Sequence, residues 1–333
     1  MKEKEKENNS DENKIKINTN IKKEERNKIN NDEEQIFLYD KNKQIGKGSF
    51  GKIFIGIDKN TGNEIAKKFE IASDEEQSQL KNEYKIYKIL EGGYGFPKAY
   101  NLYKGRKYNV LTMELLGPSL ENIFNKKNKK FSLLTNIMII EQILYRLEYL
   151  HSKGIVYRDI KPDNFLIGKN NKKNIIYMID FGLSKKYKES KTGLLTPYRD
   201  GKYLTGTARY ASINNHLGVE LSRRDDIEAL GYMMVYFMKG HLPWQGMINT
   251  SNPNKKYDKI KKLKIKIKLN ELCQGLPEET IKFIQYARDM RFEDKPNYSY
   301  LRGLMRKIAA NNGIKIDYNQ FDWIIDEQNN DDE

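Results

Sequence analysis

The sequence predicts an α+β chain in two parts, a small β-rich part followed by a larger helical one. Three observations carry this. Between residues 36 and 115 the apolar residues fall in short runs separated by turn-forming residues. After Gly117-Pro118 they recur at three- and four-residue spacing, which is the period of a helix with one buried face. Residues 1–34 show neither pattern.

Taken in order, residues 1–34 carry nine Lys/Arg against ten Asp/Glu and no aromatic residue, so a disordered charged extension is expected. Ile53-Phe54-Ile55-Gly56-Ile57 and Glu64-Ile65-Ala66-Lys67-Lys68-Phe69 read as strands around the turn Asn60-Thr61-Gly62-Asn63. Residues 76–90 break this pattern, because Leu80, Tyr84, Tyr87 and Leu90 form one stripe of an amphipathic helix. Residues 108–115 return to strand. Helices are expected over 133–151, 227–238, 282–290 and 298–309, and a frayed acidic tail over 324–333.

The formal net charge is +14, and because residues 1–34 contribute −1 the chain beyond them carries +15, which suggests an anionic partner. Nucleic acid, acidic or phosphorylated protein, and ATP all satisfy that charge. The single cysteine, Cys273, excludes an internal disulfide framework and reads as a buried small hydrophobe. The longest apolar run, 230–238, is too short to cross a bilayer, and no apolar leader opens the chain. The expectation is a soluble, cytoplasmic monomer without membrane contact. The basic run over 255–262 leaves nuclear import or nucleic-acid contact open. Nucleic acid is not expected as the main partner, since Tyr257 is the run's only aromatic platform.

Three motifs carry chemistry. Gly46-Lys47-Gly48-Ser49-Phe50-Gly51 has the glycine spacing that lets backbone N–H groups approach phosphate oxygens, here between two strands. Tyr157-Arg158-Asp159-Ile160-Lys161-Pro162-Asp163-Asn164 offers a carboxylate, a lysine and an amide at fixed spacing, and Ile179-Asp180-Phe181-Gly182 adds a second carboxylate. In this order they point to phosphoryl transfer from ATP. Asp159 is the candidate base that orients a substrate hydroxyl, and Lys161 screens the moving phosphoryl charge. Asn164 and Asp180 offer the oxygen ligands that Mg2+ prefers. Strand alternation places Ala66 and Lys68 on one face, with a small residue for a purine and a cation for phosphates. Glu83, on the amphipathic helix, is the candidate ion-pair partner of Lys68. The three histidines, His151, His216 and His241, lack metal-ligand spacing.

These motifs resemble those of the eukaryotic protein kinase superfamily, and further runs resemble its casein kinase 1 family. Met113-Glu114-Leu115-Leu116-Gly117-Pro118-Ser119-Leu120-Glu121 is similar to that family's hinge. Leu204-Thr205-Gly206-Thr207-Ala208-Arg209-Tyr210-Ala211-Ser212-Ile213-Asn214 is similar to the end of its activation segment, with Ser-Ile-Asn where most kinases have Ala-Pro-Glu. Ser222-Arg223-Arg224-Asp225-Asp226, Leu242-Pro243-Trp244-Gln245-Gly246 and Asp294-Lys295-Pro296 continue the likeness, which spans roughly 36–323. It implies a bilobal kinase domain over 35–323, with a β-rich lobe at about 35–115 and a helical lobe at about 120–323. It implies an adenine slot lined by Ile45, Ile53, Ala66, Met113, Leu166 and Ile179, with hinge backbone groups from Glu114 and Leu116. Thr207 would steady Asp159 and Lys161. The family phosphorylates Ser and Thr near acidic or already phosphorylated residues. Arg209 and Lys256, beside Gly246, match its anion-binding pair, and Lys185 and Lys202 would widen that patch. Tyr157 replaces the family's usual histidine. Residues 73–76 are acidic where relatives are basic. The interval from Gly246 to Lys256 is one residue longer.

Overall fold

A computed structural model describes residue 36 and residues 40–48, 51–72, 78–189, 192–246 and 253–331. The expected extension over 1–34, the loop residues Ser49 and Phe50, the acidic stretch 73–76 and residues 247–252 lie outside these. The described chain divides into two compact units. One runs to Leu80 and includes Tyr100–Met113; the other comprises Lys81–Ala99 and everything from Glu114 onward.

The first unit is built on an antiparallel hairpin. Strands β1 (Gln44–Gly48) and β2 (Gly51–Ile57) flank the glycine-rich turn, and β3 (Glu64–Ile71) follows the Asn60–Asn63 turn. With β4 (Ala99–Lys104) and β5 (Tyr108–Glu114) they form a five-stranded sheet of order β1-β2-β3-β5-β4. Phe54, Phe69 and Val110 are its core, with Phe54 and Phe69 packed edge-to-face at 5.5 Å. Register places Ile53 opposite Lys68 and Ile55 opposite Ala66, so these four share the face away from that core. Gly51 must be glycine for a structural reason, since a Cβ there would lie 1.8 Å from the Phe69 carbonyl oxygen.

Helix α1 (Gln79–Ile89) begins in this unit. Glu70 accepts from the Ser78 hydroxyl at 2.6 Å and from the Gln79 and Leu80 N–H groups at 2.9 and 3.0 Å. A strand carboxylate thus satisfies the first free N–H groups of the helix. The rest of α1 groups with the helical unit, which differs from the expected boundary near residue 115. The reason is packing: Tyr87 and Phe96 lie 4.9 and 6.1 Å from the Phe181 ring, and Met178 N–H donates to the Gly95 carbonyl.

The second unit contains α2 (Leu120–Lys126), α3 (Leu133–Ser152), the short strands β6 (Ile155–Val156), β7 (Phe165–Ile167), β8 (Ile176–Met178) and β9 (Lys185–Lys186), then α4 (Ile213–Leu217), α5 (Arg223–Lys239), α6 (Pro253–Lys266), α7 (Leu269–Leu272), α8 (Glu278–Asp289), α9 (Tyr298–Asn311) and α10 (Asp322–Asp331). Helices α3 and α5 form its core. Ile137–Ile140 and Tyr232–Phe237 are almost fully buried, and α8 and α9 pack on them. Two antiparallel ribbons, β7-β8 and β6-β9, lie on this helical base. The stretch after β5 is stitched to the first of them, with Gly117 N–H donating to the Ile167 carbonyl at 2.9 Å and Ile167 N–H to Pro118 at 3.1 Å.

The expected frayed tail is instead helix α10. Its carboxylates Asp326 and Glu327 pair with Lys127 and Lys173, and the Trp323 indole donates to the Lys173 carbonyl. Acidic composition read as fraying because those cations are far away in sequence. Among the described residues no helix is long and apolar enough to cross a membrane.

Candidate active site

Strand β6 delivers the chain into the loop 157–164, and one buried carboxylate beneath fixes its entry. Asp226, in the first turn of α5, accepts the Tyr157 and Arg158 N–H groups, both at 2.8 Å, and the His151 Nε2–H at 2.9 Å. Arg158 sits at φ +72°, a left-handed conformation that costs a non-glycine residue about 1–3 kcal/mol unless its surroundings enforce it. Pro162 then opens a 3-10 turn over Pro162–Asn164, its fixed φ suiting the first helical position.

Asp159 is 6% exposed and held from all sides. Its Oδ2 takes Lys161 Nζ at 2.6 Å and Asn164 Nδ2 at 3.2 Å. Its Oδ1 takes both the N–H and the hydroxyl of Thr207, at 3.0 and 2.9 Å. Thr207 can come this close because Gly206 precedes it at φ +76°, where a Cβ would lie 2.4 Å from the Arg158 carbonyl oxygen. The structure therefore brings Asp159, Lys161, Asn164 and Thr207 together. The donors leave the carboxylate a single orientation, which suits aligning a hydroxyl for in-line attack.

Asp180 follows at φ +61°. Its N–H donates to the Tyr87 hydroxyl at 3.2 Å, the Tyr157 hydroxyl donates to the Ile179 carbonyl at 2.5 Å, and Ile179 N–H donates to the Asn164 carbonyl at 3.0 Å. Phe181 is buried with Tyr87 and Tyr157 at 4.9 and 5.6 Å. Both phenols are pushed well above the usual tyrosine range, by burial first and by neighbouring carboxylates second, so they remain protonated donors.

Asn164 and Asp180 fit a magnesium ion. Asn164 uses its amide N–H groups on the Asp159 carbonyl and carboxylate, at 2.9 and 3.2 Å, which leaves its carbonyl oxygen as the available ligand. Asp180 supplies a carboxylate next to it along the Ile179–Asn164 bond. Among the described residues no group of three or more His, Cys, Asp or Glu could enclose a metal. Magnesium takes one or two protein oxygens and completes its shell with water and phosphates.

The other expected residues lie on several elements. Lys68 and Ala66 on β3 are 6% exposed, Met113 on β5 is 6% exposed and Glu83 on α1 is 2% exposed. Ile45 is half exposed on β1, and Ile53 is half-buried on β2. Gly46, Lys47 and Gly48 lie on β1, Gly51 opens β2, and Glu114 ends β5. Leu116, Leu166 and Ile179 are half-buried in the second unit. Arg209 lies over the rings of Tyr210 and Tyr236, at 5.8 and 5.9 Å, and among the described residues makes no ion pair with a carboxylate. Lys256 is exposed on α6, and Gly246 sits at φ +73° with open space around it.

Lys185 and Lys202, expected to widen the anion patch, each have a carboxylate nearby. Both reach Glu220, at 2.8 and 3.6 Å, a carboxylate only 4% exposed. Burial pushes Glu220 up, but the Lys185 hydrogen bond and the charges of Lys185, Lys202 and Arg158 outweigh it and hold its pKa below the usual range. Glu220 carries no motif, so the sequence alone does not single it out.

It also missed the roles of Tyr87, Tyr157, Gly206 and Asp226. Tyr157 was noted only as a replaced histidine, although its hydroxyl holds the backbone next to Asp180. Ser212-Ile213-Asn214 has a local logic as well. Ser212 caps α4 and donates to Asp225 at 2.7 Å, and Asn214 donates to the same carboxylate oxygen at 3.1 Å. Burial raises Asp225 to about 6, against the pull of these bonds.

The model of the protein kinase domain matches residues 39–300, which is most of the chain and includes every element of the cluster around Asp159. Kinases of this family are phosphotransferases that use ATP with a divalent metal. The match and the geometry agree: this chain belongs to the protein kinase domain family.

Proposed function

We propose that the chain is a Mg·ATP-dependent serine/threonine kinase of the casein kinase 1 type, acting as a monomer on protein hydroxyls near acidic or phosphorylated residues. The observation that carries the reading is the set of donors around Asp159, from Lys161, Asn164 and Thr207. In this mechanism Asp159 orients the incoming hydroxyl and receives its proton. Lys161 offsets charge developing on the transferred group, and Lys68 takes the nucleotide phosphates. Asn164 and Asp180 hold the metal, which when bound neutralises the phosphate oxygens.

The casein kinase 1 assignment is supported by the Ser212-Ile213-Asn214 cap on Asp225 and by Arg209, which lies over Tyr210 and Tyr236 and feels the charge of Glu121 without forming an ion pair among the described residues. Glu220 adds a reason for activity without phosphorylation of the activation segment, because a carboxylate already occupies its lysines. Phosphatase-treated protein from bacteria should transfer radiolabelled phosphate to casein and to a primed serine peptide. A tyrosine peptide should remain unlabelled. Arg209→Ala should raise KM for the primed peptide several-fold and barely alter that for an unprimed one. Equal losses on both peptides, or labelling of the tyrosine peptide alone, would defeat the assignment.

A further inference from the structure

Helix α6 reads in sequence as a basic, solvated run, Lys255-Lys256-Tyr257-Asp258-Lys259-Ile260-Lys261-Lys262. Its inner stripe follows helical spacing through Ile260, Lys264 and Ile267. A lysine thus stands where the helix buries an apolar residue, and Lys264 is 0% exposed. Burying an ammonium is expensive, and an apolar residue of similar volume would serve stability at least as well. The position calls for an explanation other than packing.

Lys264 Nζ donates to the carbonyls of Ala208 and Ala211, at 3.0 and 2.5 Å. The rings of Tyr232 and Trp244 lie 4.7 and 4.9 Å from it, and their π-faces accommodate the cation. Burial pushes its pKa down and Glu228 opposes that. Protonated or neutral, the amine keeps enough N–H groups for both carbonyls. Two more side chains grip the same stretch. The Trp244 indole donates to the Arg209 carbonyl at 2.7 Å, and His216 Nε2–H donates to Ala208 at 3.1 Å. Tyr210 and Ala211 in turn donate their N–H groups to the Thr207 carbonyl, at 3.0 and 3.1 Å. The turn 207–211 is therefore held from beneath by α4, α6 and the loop after α5. Its first residue gives two hydrogen bonds to Asp159.

We propose that Lys264 is a positioning residue for phosphoryl transfer: by holding the carbonyls of Ala208 and Ala211 it places Thr207, and through Thr207 it fixes the Asp159 carboxylate. This rests on Asp159 being the residue that orients the substrate hydroxyl. It also makes α6, whose outer face carries Lys256, mechanically continuous with the reacting carboxylate.

The test compares the full chain with Lys264→Met, Thr207→Ala and the double variant. Hydrogen exchange on the folded Lys264→Met protein should show the Thr207, Tyr210 and Ala211 amides exchanging at least about tenfold faster, with α8 and α9 unchanged. In steady-state kinetics kcat should fall about tenfold while KM for ATP stays within about twofold, as expected for a displaced orienting group. The double variant should lose clearly less than the product of the two single losses, since both substitutions act through the Thr207–Asp159 contacts. If Lys264→Met does not fold, Lys264→Gln takes its place, keeping a donor that is too short to reach both carbonyls. Unchanged exchange at Thr207, or independent and multiplying losses in kcat, would overturn the proposal. A parent protein that labels no peptide would refute the proposed function, while the exchange measurement would still judge Lys264.

Discussion

Replacing Asp226 with asparagine probes the entry to the catalytic loop. The carboxylate is 2% exposed, with Oδ2 accepting from Tyr157 N–H and His151 Nε2–H and Oδ1 accepting from Arg158 N–H. Asparagine keeps one carbonyl oxygen, which serves best in the place of Oδ2, where two donors converge. Its amide NH2 then faces the Arg158 N–H, donor against donor. A buried donor without an acceptor costs about 1–3 kcal/mol, and losing the charge on the two remaining bonds takes about 1 kcal/mol from each. The sum is about 3–5 kcal/mol. At roughly 2–4 °C per kcal/mol for a unit of this size, Tm should fall by about 6–20 °C. Arg158 would also be free to leave its φ of +72°, and Asp159 follows it in the chain. Turnover should therefore drop more than about tenfold even at temperatures where the variant is folded. Calorimetry and steady-state kinetics on the purified variant measure both effects. An asparagine variant with Tm within about 2 °C of the parent and unchanged kcat would show that this carboxylate does not hold the loop.

Three further outcomes are expected. Asp159→Asn and Asp180→Asn should each lower turnover at least about a hundredfold, or about 2.7 kcal/mol of barrier, while near-UV circular dichroism stays as in the parent. His216 is held down to about 4 from 6.5, by burial first and by Lys264 and Lys261 next. The unfolded chain takes up this proton near the upper value and the folded chain only near the lower one. The stability it contributes is thus complete above pH 6.5 and is lost as pH falls towards 4. His216→Gln should flatten that decline in urea midpoints, and an identical slope in both proteins would refute the assignment. Cys273 is buried and its thiol is raised to about 11, chiefly by that burial, so a disulfide reagent should modify it slowly in the native protein and promptly in urea. Rapid labelling of the folded protein would contradict its placement.

Much of this architecture is legible in the sequence. The hairpin strands and α3, α5, α8 and α9 follow from local periodicity, which a sequence displays directly. The reacting residues were legible because Asp159, Lys161 and Asn164 lie within one short run. What stayed hidden depends on distant partners. Helix α1 joins the helical unit because Tyr87 and Phe96 meet Phe181, and nothing near residue 87 announces that. The partner of Lys185 and Lys202 stayed hidden because Glu220 follows them in the chain without a motif. Lys264 lies just past the basic run 255–262 and drew no notice there, and only its helical phase, shared with Ile260 and Ile267, marks it as inward-facing.

Phe321 and Trp323 bear on how the protein is made. Phe321 is fully buried and stacked on Trp323 at 4.3 Å, and Trp323 lies 6.0 Å from Phe131, whose ring is 4.8 Å from Phe124 and 5.4 Å from Phe237. The aromatic wall formed by α2, α5 and the loop before α3 is thus sealed by residues beyond position 300, where the family match ends. A ribosome releases Phe124, Phe131 and Phe237 long before it releases Trp323. Throughout that interval the nascent helical unit carries an uncovered aromatic face, the kind of surface on which chaperones act and aggregation starts. A chain trimmed to the matched residues would keep that face open permanently, so recombinant work needs to carry the chain through α10.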